Sequence, residues 1–332
     1  MQAIRGLGSL RDKRRPGWMI VASKEFSDHV LSVRFTILVI LMGLVAVLVV
    51  STAASGIRTA IEQSSDVPAL FLMLFWVPHP RFSFSFLAVM ALMGPLLGIA
   101  FGFDAVNQER TQGTLPRLVS QPIYRDDVIN GKFVAGISAI GVVLVCVTVI
   151  VAGVGFLRIG VTPTLTEILR TVLWLVISLA YVGFWLALSM LLSVVLRRGA
   201  TSALAAIAVW LTLAIFGPLI VGVIGEVIAP VPDSPTFQEQ VRNARITQNV
   251  SRVLPVSLYG EATIALLRPD IRTFDPLSSL LLQAPETRAV QGALTLEQSV
   301  LLVWPQLTAL IALTVLCFMG AYISFMRQEV RA

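Results

Sequence analysis

Charged residues are scarce in this chain. Only 13% of its 332 residues are Asp, Glu, Lys or Arg, against about 25% in an average soluble domain, and 56% are hydrophobic. One soluble core cannot bury that much apolar surface, so lipid is the expected solvent for much of the chain. Cysteine and histidine are scarce too, and both cysteines, Cys146 and Cys317, lie in long apolar runs. Neither a disulfide framework nor a metal site is therefore expected.

Six stretches contain no Asp, Glu, Lys, Arg or His over about 20 residues or more, which is the length of a helix that crosses a bilayer. They cover residues 35–54, 82–103, 133–157, 172–196, 201–225 and 300–326. The predicted fold is an all-α membrane protein with six transmembrane helices, because a barrel would show short alternating strands instead. The apolar run 68–77 is only ten residues long. It is too short to span and is expected to be interfacial or re-entrant.

The positions of the basic residues predict the orientation of the spans. If the amino terminus is cytoplasmic, fifteen lysines and arginines fall in the inner segments and four in the short outer loops. Positive side chains favour the cytoplasmic side, so a multi-pass protein of the plasma (inner) membrane with both termini in the cytoplasm is expected. The basic residues 11–15 precede the first span and are expected to contact anionic lipid rather than nucleic acid.

This orientation divides the chain into four parts. They are a cytoplasmic N-terminus (1–34), the first five spans with a cytoplasmic connection at 104–132 (35–225), an extracytoplasmic segment (226–299), and the sixth span with a short cytoplasmic tail (300–332). The extracytoplasmic segment carries six basic and eight acidic residues, so it is expected in water. Two interpretations remain open for it: a helical cap over a translocation path, or a packed loop domain with no direct role.

An amphipathic helix is expected just before the first span. Trp18, Ala22, Phe26 and Val33 recur at helical spacing, with polar residues between them. A tryptophan at one end and flanking basic residues are typical of a helix that lies in the lipid headgroup layer. An ordinary amphipathic start to the first span would show the same pattern.

The uncharged spans exclude several classes of membrane protein. Ion-coupled carriers and pumps need ionisable groups at bilayer depth, and intramembrane proteases need a catalytic Asp pair, a Ser and His, or an H-E-x-x-H motif in a span. A phosphate loop is also absent, since the only Gly-Lys pair, Gly131-Lys132, is followed by Phe133. We therefore expect no catalytic site and no bound cofactor in this chain. Any energy for transport must come from another polypeptide.

A few polar side chains do lie inside the uncharged stretches. They are Ser178, Tyr181, Ser189, Thr212 and Gln306. Such residues either contact cargo or form hydrogen bonds between helices, and the sequence leaves both open.

The connection at 104–132 is the most informative segment. Its sequence predicts a helical extension of the second span that ends at Gly113, where a glycine can adopt the left-handed conformation. Thr114 can then cap a short helix over 115–119, and Pro122 ends it. A short helix projecting below the membrane is either a tight connector or a handle for a soluble partner, and physical reasoning alone does not decide between them.

The residue pattern of this connection is more specific than its helices. The pattern consists of Glu109, Arg110, Gly113, Thr114, Leu115, Leu118, Ser120, Pro122, Ile123, Arg125, Val128, Gly131 and Lys132. It resembles the signature of ATP-binding-cassette (ABC) transporter permeases of the type-2 exporter family, and Lys24-Glu25-Phe26 resembles that family's entry into the first span. Pro116 departs from the pattern, because the family more often has a polar or acidic residue there.

The resemblance implies a permease subunit of an ATP-driven exporter. It would pair with a second permease subunit, as a homodimer, and with two copies of an ABC ATPase that binds ATP and Mg²⁺. The residues implied to contact the ATPase are Glu109, Arg110, Gly113, Thr114, Leu115, Arg117, Leu118, Ser120, Pro122 and Arg125, with 113–120 as the coupling helix. Those implied for the interfacial helix are Trp18, Lys24, Glu25 and Phe26. The alternative is a non-transporting scaffold or mechanotransmitter that the same kind of ATPase drives and that acts on an extracytoplasmic partner.

Overall fold

Most of the chain is described by a computed structural model, which covers residues 16–63, 69–77, 85–113, 124–160, 162–232, 234–269 and 294–327. Within these ranges the regular structure is helical, without strands. The helices are α1 (Gly17–Val30), α2 (Val33–Gln63), α3 (Leu70–Trp76), α4 (Phe86–Gly102), α5 (Asn107–Thr111), α6 (Arg125–Ile159), α7 (Leu165–Val195), α8 (Gly199–Leu211), α9 (Gly217–Ile228), α10 (Phe237–Ser251), α11 (Pro255–Leu267) and α12 (Leu296–Met326).

Six helical segments of the described chain are long and apolar enough to cross a membrane, which confirms the predicted all-α fold with six spans. They are α2, α4 together with α5, α6, α7, α8 together with α9, and α12. Because successive spans run in opposite directions, α1, α5 and the end of α12 lie at one face of the bundle. We name it the terminal face. The opposite face, with α3, α10 and α11, is named the distal face.

Three helices that start at the distal face begin with the same capping arrangement. The Thr164 side chain accepts a hydrogen bond from the Glu167 backbone N–H, and the Glu167 carboxylate accepts one from the Thr164 backbone N–H. The same box joins Thr236 to Glu239 at α10 and Thr295 to Gln298 at α12. Each box satisfies backbone donors that the first turn of a helix would otherwise leave unpaired, so these starts are well defined by sequence.

The fifth span is interrupted between α8 and α9. Residues Thr212–Phe216 form a π-helical turn, and Pro218 follows in the first turn of α9. Proline has no backbone N–H. The carbonyl oxygen of Ala214 therefore lacks the hydrogen bond that it would accept from residue 218 in a continuous α-helix. The wider turn accommodates this break without ending the span.

Helix α7 is the centre of the bundle, packing against α4, α6, α8, α11 and α12. Its largest buried side chains are Trp174, Tyr181, Trp185 and Met190. Helix α4 approaches it through Gly98 and Gly102, four residues apart. A Cβ atom on Gly98 would lie 2.6 Å from the Val182 carbonyl oxygen, so only glycine permits this backbone contact. Small residues at this spacing are a common device for close packing of helices in membranes.

Within the apolar run, Leu70–Trp76 forms helix α3, which is too short to span. Four of its side chains are buried, namely Phe71, Leu72, Leu74 and Phe75. The Phe71 backbone N–H donates to the Glu167 carboxylate over 3.1 Å, which ties the start of α3 to the start of α7. The helix therefore packs among the other helices of the distal face instead of lying on the lipid surface.

Helix α11, in the segment 226–299, is buried against other helices of the bundle. This helix is bent by 110° from α10, and it is buried between α7 and α12. Leu258, Ala262 and Leu266 are among its buried residues. The charged residues of the segment lie mostly outside α11, in which Glu261 is the one charged residue. Helix α10 keeps the expected exposed and charged character.

Candidate functional site: a buried charge cluster at the terminal face

Lys132 is a buried lysine near the start of α6. Its side chain is only 6% exposed, and its Nζ lies 3.1 Å from Glu25 Oε2 and 2.8 Å from Glu109 Oε1. A buried ammonium group is costly unless carboxylates compensate it, and two of them do so here. Since Glu25 belongs to α1 and Glu109 to α5, one lysine links three separate helices. We call these three residues the terminal-face cluster.

Close packing of α1 on α6 makes the cluster possible. A Cβ atom on Gly131 would lie 2.7 Å from Val21 Cβ and 2.8 Å from the Trp18 carbonyl oxygen. Only a glycine therefore lets α1 lie this near the first turns of α6. The contact places Glu25, one turn beyond Val21, opposite Lys132.

The end of α7 fixes α5, the third helix of the cluster. The Ser193 hydroxyl accepts hydrogen bonds from the backbone N–H groups of Val106 (3.2 Å) and Asn107 (3.4 Å). Arg110 then donates to the Val194 carbonyl oxygen over 3.1 Å. These bonds satisfy backbone and guanidinium groups in a partly buried turn, so α5 is held against the bundle. Glu109 consequently has a defined position opposite Lys132.

A second ion pair braces the turn between α4 and α5. Arg34, at the start of α2, pairs with Asp104. The Arg34 guanidinium also lies over the Phe103 ring, 5.1 Å from its centroid. The first two spans are thus joined at the terminal face by an ion pair and a cation–π contact.

A cleft of about 520 Å³ opens beside the cluster. Its lining includes Lys24, Asp28 and His29 of α1 together with Asp104, Gln108 and Gln112. Burial lowers the pKa of His29, whose ring packs edge-on against Phe101 at a centroid distance of 5.2 Å. Burial also acts to lower the pKa of Lys24, but the carboxylates of Glu25 and Asp28 outweigh it and the pKa is raised. The cleft wall therefore holds a neutral imidazole at His29 and a charged ammonium group at Lys24 at neutral pH.

The structure places part of the residue set that the sequence indicated. Trp18, Lys24, Glu25 and Phe26 lie on α1, Glu109 and Arg110 lie on α5, Gly113 follows α5, and Arg125 begins α6. Gly113 has a φ of +65°, the left-handed conformation that the sequence predicts. The helical extension that ends there is not continuous, because a turn at 103–106 separates α4 from α5. Thr114, Leu115, Arg117, Leu118, Ser120 and Pro122 lie outside the described residues.

Sequence reasoning missed the residues that join these helices. Lys132 lies at the end of the motif in the connection, but nothing in the linear sequence indicates that it pairs with Glu25. Ser193 looks like an ordinary polar residue near the end of a span. A lysine placed directly before an uncharged stretch is the one signal that was available, and it is equally typical of a lysine at the membrane surface.

Three of the polar residues inside the spans form hydrogen bonds between helices. The Tyr181 hydroxyl donates to the Ala91 carbonyl oxygen over 2.9 Å, and the Ser189 hydroxyl donates to that of Ile99 over 3.3 Å. Ser178 shares a hydrogen bond of 3.2 Å with the Tyr259 hydroxyl. These bonds account for the polar groups of α7 as helix contacts. Gln306 belongs to a different network at the distal face.

Comparison with known proteins was made for the whole chain. Residues 19–330 match a family model described as ABC-2 family transporter protein. No curated protein sequence matches the chain. The family match includes all but the first two residues of α1 and all six spans, and thus every residue of the terminal-face cluster.

Proposed function

The chain belongs to the ABC-2 transporter family and is the membrane permease subunit of an ABC transporter; we propose that it exports a substrate across the plasma membrane, driven by a separate ABC ATPase. The observation that carries the proposal is the buried position of Lys132 between Glu25 and Glu109. These residues join α1, α5 and α6, and α5 and α6 flank the connection that the family resemblance implies as the ATPase contact.

The proposed coupling follows from chain connectivity. Residues 114–123 connect the end of α5 to the start of α6 in the sequence and lie outside the described residues. Because Lys132 of α6 pairs with Glu109 of α5, a force applied to this connection reaches both helices together. The pairing with Glu25 adds α1, the helix at the membrane surface, to the same unit. ATP-driven closure of two ATPase chains would then move α1, α5 and α6 as one body and open the bundle alternately to each side.

We further propose a homodimer with two ATPase chains and with both termini in the cytoplasm. The fifth span supports pairing with a second copy, since only 11% of its most apolar window is buried within one subunit. Leu204, Ile215, Leu219 and Val223 are exposed along it. An exposed apolar surface of this kind can contact either lipid or a second subunit.

Co-purification with the ATPase tests the assignment. The double variant Leu115→Asp with Leu118→Asp is expected to lose an ABC ATPase that co-elutes with the unaltered permease, because charge replaces the apolar side of the proposed coupling helix. The matched control is Leu157→Asp at the distal end of α6, where the side chain is 81% exposed. It makes the same chemical change on the opposite face and should retain the ATPase. Normal co-elution and ATP hydrolysis in the double variant would contradict the assignment.

A second candidate function is a mechanotransmitter that passes ATPase-driven motion to a partner at the distal face. Helix α10 favours it, because this helix carries exposed charged residues, among them Arg242 and Arg245. Proteoliposomes that contain both subunits distinguish the two candidates. ATP-dependent movement of labelled drugs, peptides or lipids supports the exporter. ATP hydrolysis without such movement, together with a distal partner that binds only when α10 is intact, supports the mechanotransmitter.

A further inference from the structure

Helix α5 is too short to be stable on its own. It has five residues, Asn107–Thr111, whereas isolated helices shorter than about 12 residues are marginal in water. The turn at 103–106 separates it from α4, and Gly113, with its left-handed φ of +65°, follows at its other end. Its order therefore depends on the helices that it packs against.

The start of α5 has no cap of its own. The residue at the cap position is Val106, whose side chain has no hydrogen-bond acceptor. Ser193 of α7 supplies the missing oxygen, because its hydroxyl accepts hydrogen bonds from the backbone N–H groups of Val106 and Asn107 over 3.2 and 3.4 Å. Ser193 thus performs for α5 the role that a capping side chain usually performs within one helix.

Water does not reach this contact. Val106 and Asn107 are each only 1% exposed, and Ser193 is fully buried. Among the described residues, no other acceptor pairs with either of the two backbone N–H groups. Removal of the hydroxyl would leave two buried donors unpaired, which is unfavourable unless α5 moves away from α7 and reaches water.

The contact is reciprocal, since α5 also binds the end of α7. Arg110 donates to the carbonyl oxygen of Val194, in the last turn of α7, over 3.1 Å. The carbonyl end of a helix carries a partial negative charge, so a guanidinium group is favourable there. Because Ser193 and Val194 are adjacent, both contacts meet at one point of α7. We name the contacts of Ser193 with Val106 and Asn107, and of Arg110 with Val194, the α5–α7 joint.

Close packing of α4 on α7 brings the two parts of the joint together. A Cβ atom on Gly102 would lie 2.8 Å from Ser189 Cβ and 2.8 Å from the Leu186 carbonyl oxygen. Gly102 is the last residue of α4, and Ser193 lies one turn beyond Ser189 in α7. The turn at 103–106 therefore leaves α4 next to the turn of α7 that carries Ser193.

We propose that Ser193 is a positioning residue for the coupling between the ATPase and the bundle. Its hydroxyl keeps α5 folded and docked on α7, so a displacement of the connection 114–123 reaches α7 as well. The terminal-face cluster joins α5 to α1 and α6, whereas the joint adds the central helix of the bundle. The coupling role rests on the proposed function, but the docking of α5 by Ser193 does not.

Hydrogen–deuterium exchange of the purified full chain tests the docking. Ser193→Ala is expected to speed exchange of the backbone amides at 106–112 by about ten-fold or more, because the buried amides lose their acceptor. Ser193→Thr keeps the hydroxyl and should restore slow exchange at least in part. Ser189→Ala is the matched control, since it makes the same change one turn earlier, where the hydroxyl donates to the Ile99 carbonyl oxygen. Unchanged exchange at 106–112 in Ser193→Ala, or an equal increase in Ser189→Ala, would overturn the proposal.

The positioning role is tested in the complex with the co-purified ABC ATPase. The probe is a non-hydrolysable ATP analogue, and the readout is the difference in exchange with and without it. In the unaltered complex the analogue is expected to change exchange at the start of α6 (125–132) and at the end of α7 (189–195). In Ser193→Ala the change at 189–195 should fall by about two-fold or more, while the change at 125–132 remains and the ATPase still co-elutes.

This difference separates positioning from stability. If Ser193 only stabilised the fold, its replacement would alter exchange equally with and without the analogue, so a full response at 189–195 in Ser193→Ala would overturn the positioning role. Elution of the variant at the volume of the unaltered protein checks that the bundle is intact. Absence of any co-eluting ATPase from the unaltered protein would instead contradict the proposed function, and exchange at 106–112 in the permease alone would still show whether Ser193 docks α5.

Discussion

Arg170 donates a hydrogen bond to the carbonyl oxygen of Leu266 over 2.9 Å and thereby joins the central span α7 to the last turn of α11. The same guanidinium donates to the Ser299 hydroxyl at 2.9 Å and to the Leu294 carbonyl oxygen at 2.6 Å. Arg170 is only 3% exposed. One side chain therefore fixes both the end of the buried distal helix and the start of α12, at acceptors that water does not reach.

We predict that Arg170→Met destabilises the protein by about 3 kcal/mol or more, because several buried acceptors lose their donor and each costs about 1–3 kcal/mol. Thermal unfolding of the purified protein in detergent measures the loss. Arg170→Lys is the informative control, since one ammonium group cannot reproduce the fork of donors that reaches Leu266, Ser299 and Leu294. Lysine should recover less than half of the loss. Full recovery would show that the positive charge, and not the geometry, stabilises the distal face.

Close packing of α4 on α7 gives a second prediction. Gly98→Ala should destabilise the bundle by about 1–3 kcal/mol, because the new methyl group would overlap the α7 backbone. The added Cβ would lie 2.6 Å from the Val182 carbonyl oxygen and 2.8 Å from the Leu186 nitrogen. Gly153→Ala, toward the distal end of α6, is the matched control, since nothing lies within 4 Å of the added Cβ. It should leave stability unchanged or raise it slightly, and an equal loss at both positions would mean that backbone contact is not the cause.

The spans and their caps were predictable because their causes are local. An uncharged stretch of sufficient length marks a span, and the pattern Thr164-x-x-Glu167 marks the start of a helix within four residues. The left-handed Gly113 was predictable for the same reason. Burial of α11 was not, because it depends on the surfaces that α7 and α12 offer to it.

The sequence predicted residues of the candidate site but not the contacts between them. The motif identified Glu25 and Glu109 as residues of interest, but it did not indicate that they share a buried partner. That pairing requires α1 to lie against α6, which in turn depends on the absence of a side chain at Gly131. Contacts of this kind arise from tertiary packing, so no pattern in one segment shows them.

Acidification gives a prediction for the cleft at the terminal face. Burial lowers the pKa of His29 in the folded protein, with opposing effects from Glu25, Asp104 and Asp28 and a further lowering by Lys132. His29 therefore binds a proton more readily in the unfolded chain, where its pKa is about 6.5, than in the folded protein. The stability of the folded protein falls as the pH falls through about 6.5 toward the lower folded pKa. Thermal unfolding between neutral and mildly acidic pH measures the slope. His29→Gln should flatten it, and an unchanged slope in this variant would assign the acid sensitivity to other groups.

The terminal-face cluster makes the most demanding prediction. Lys132→Met removes the buried cation that Glu25 and Glu109 share, so it should destabilise the protein by about 3–5 kcal/mol. Lys24→Met is the control. Lys24 is an exposed lysine that also pairs with Glu25, and an exposed ion pair contributes less than about 1 kcal/mol. Thermal unfolding of both variants compares the two lysines directly.

The triple variant Lys132→Met, Glu25→Gln and Glu109→Gln separates stability from coupling. Neutral side chains of similar size replace all three charges, and such replacements are often neutral or even stabilising, so most of the lost stability should return. The cluster is proposed to transmit force between the connection and the helices α1, α5 and α6. If it does, ATP hydrolysis by the reconstituted complex should no longer drive substrate transport, although the ATPase still co-elutes with the permease. A stable triple variant with normal ATP-driven transport would show that the cluster only stabilises the fold. Coupling would then have to pass through other contacts.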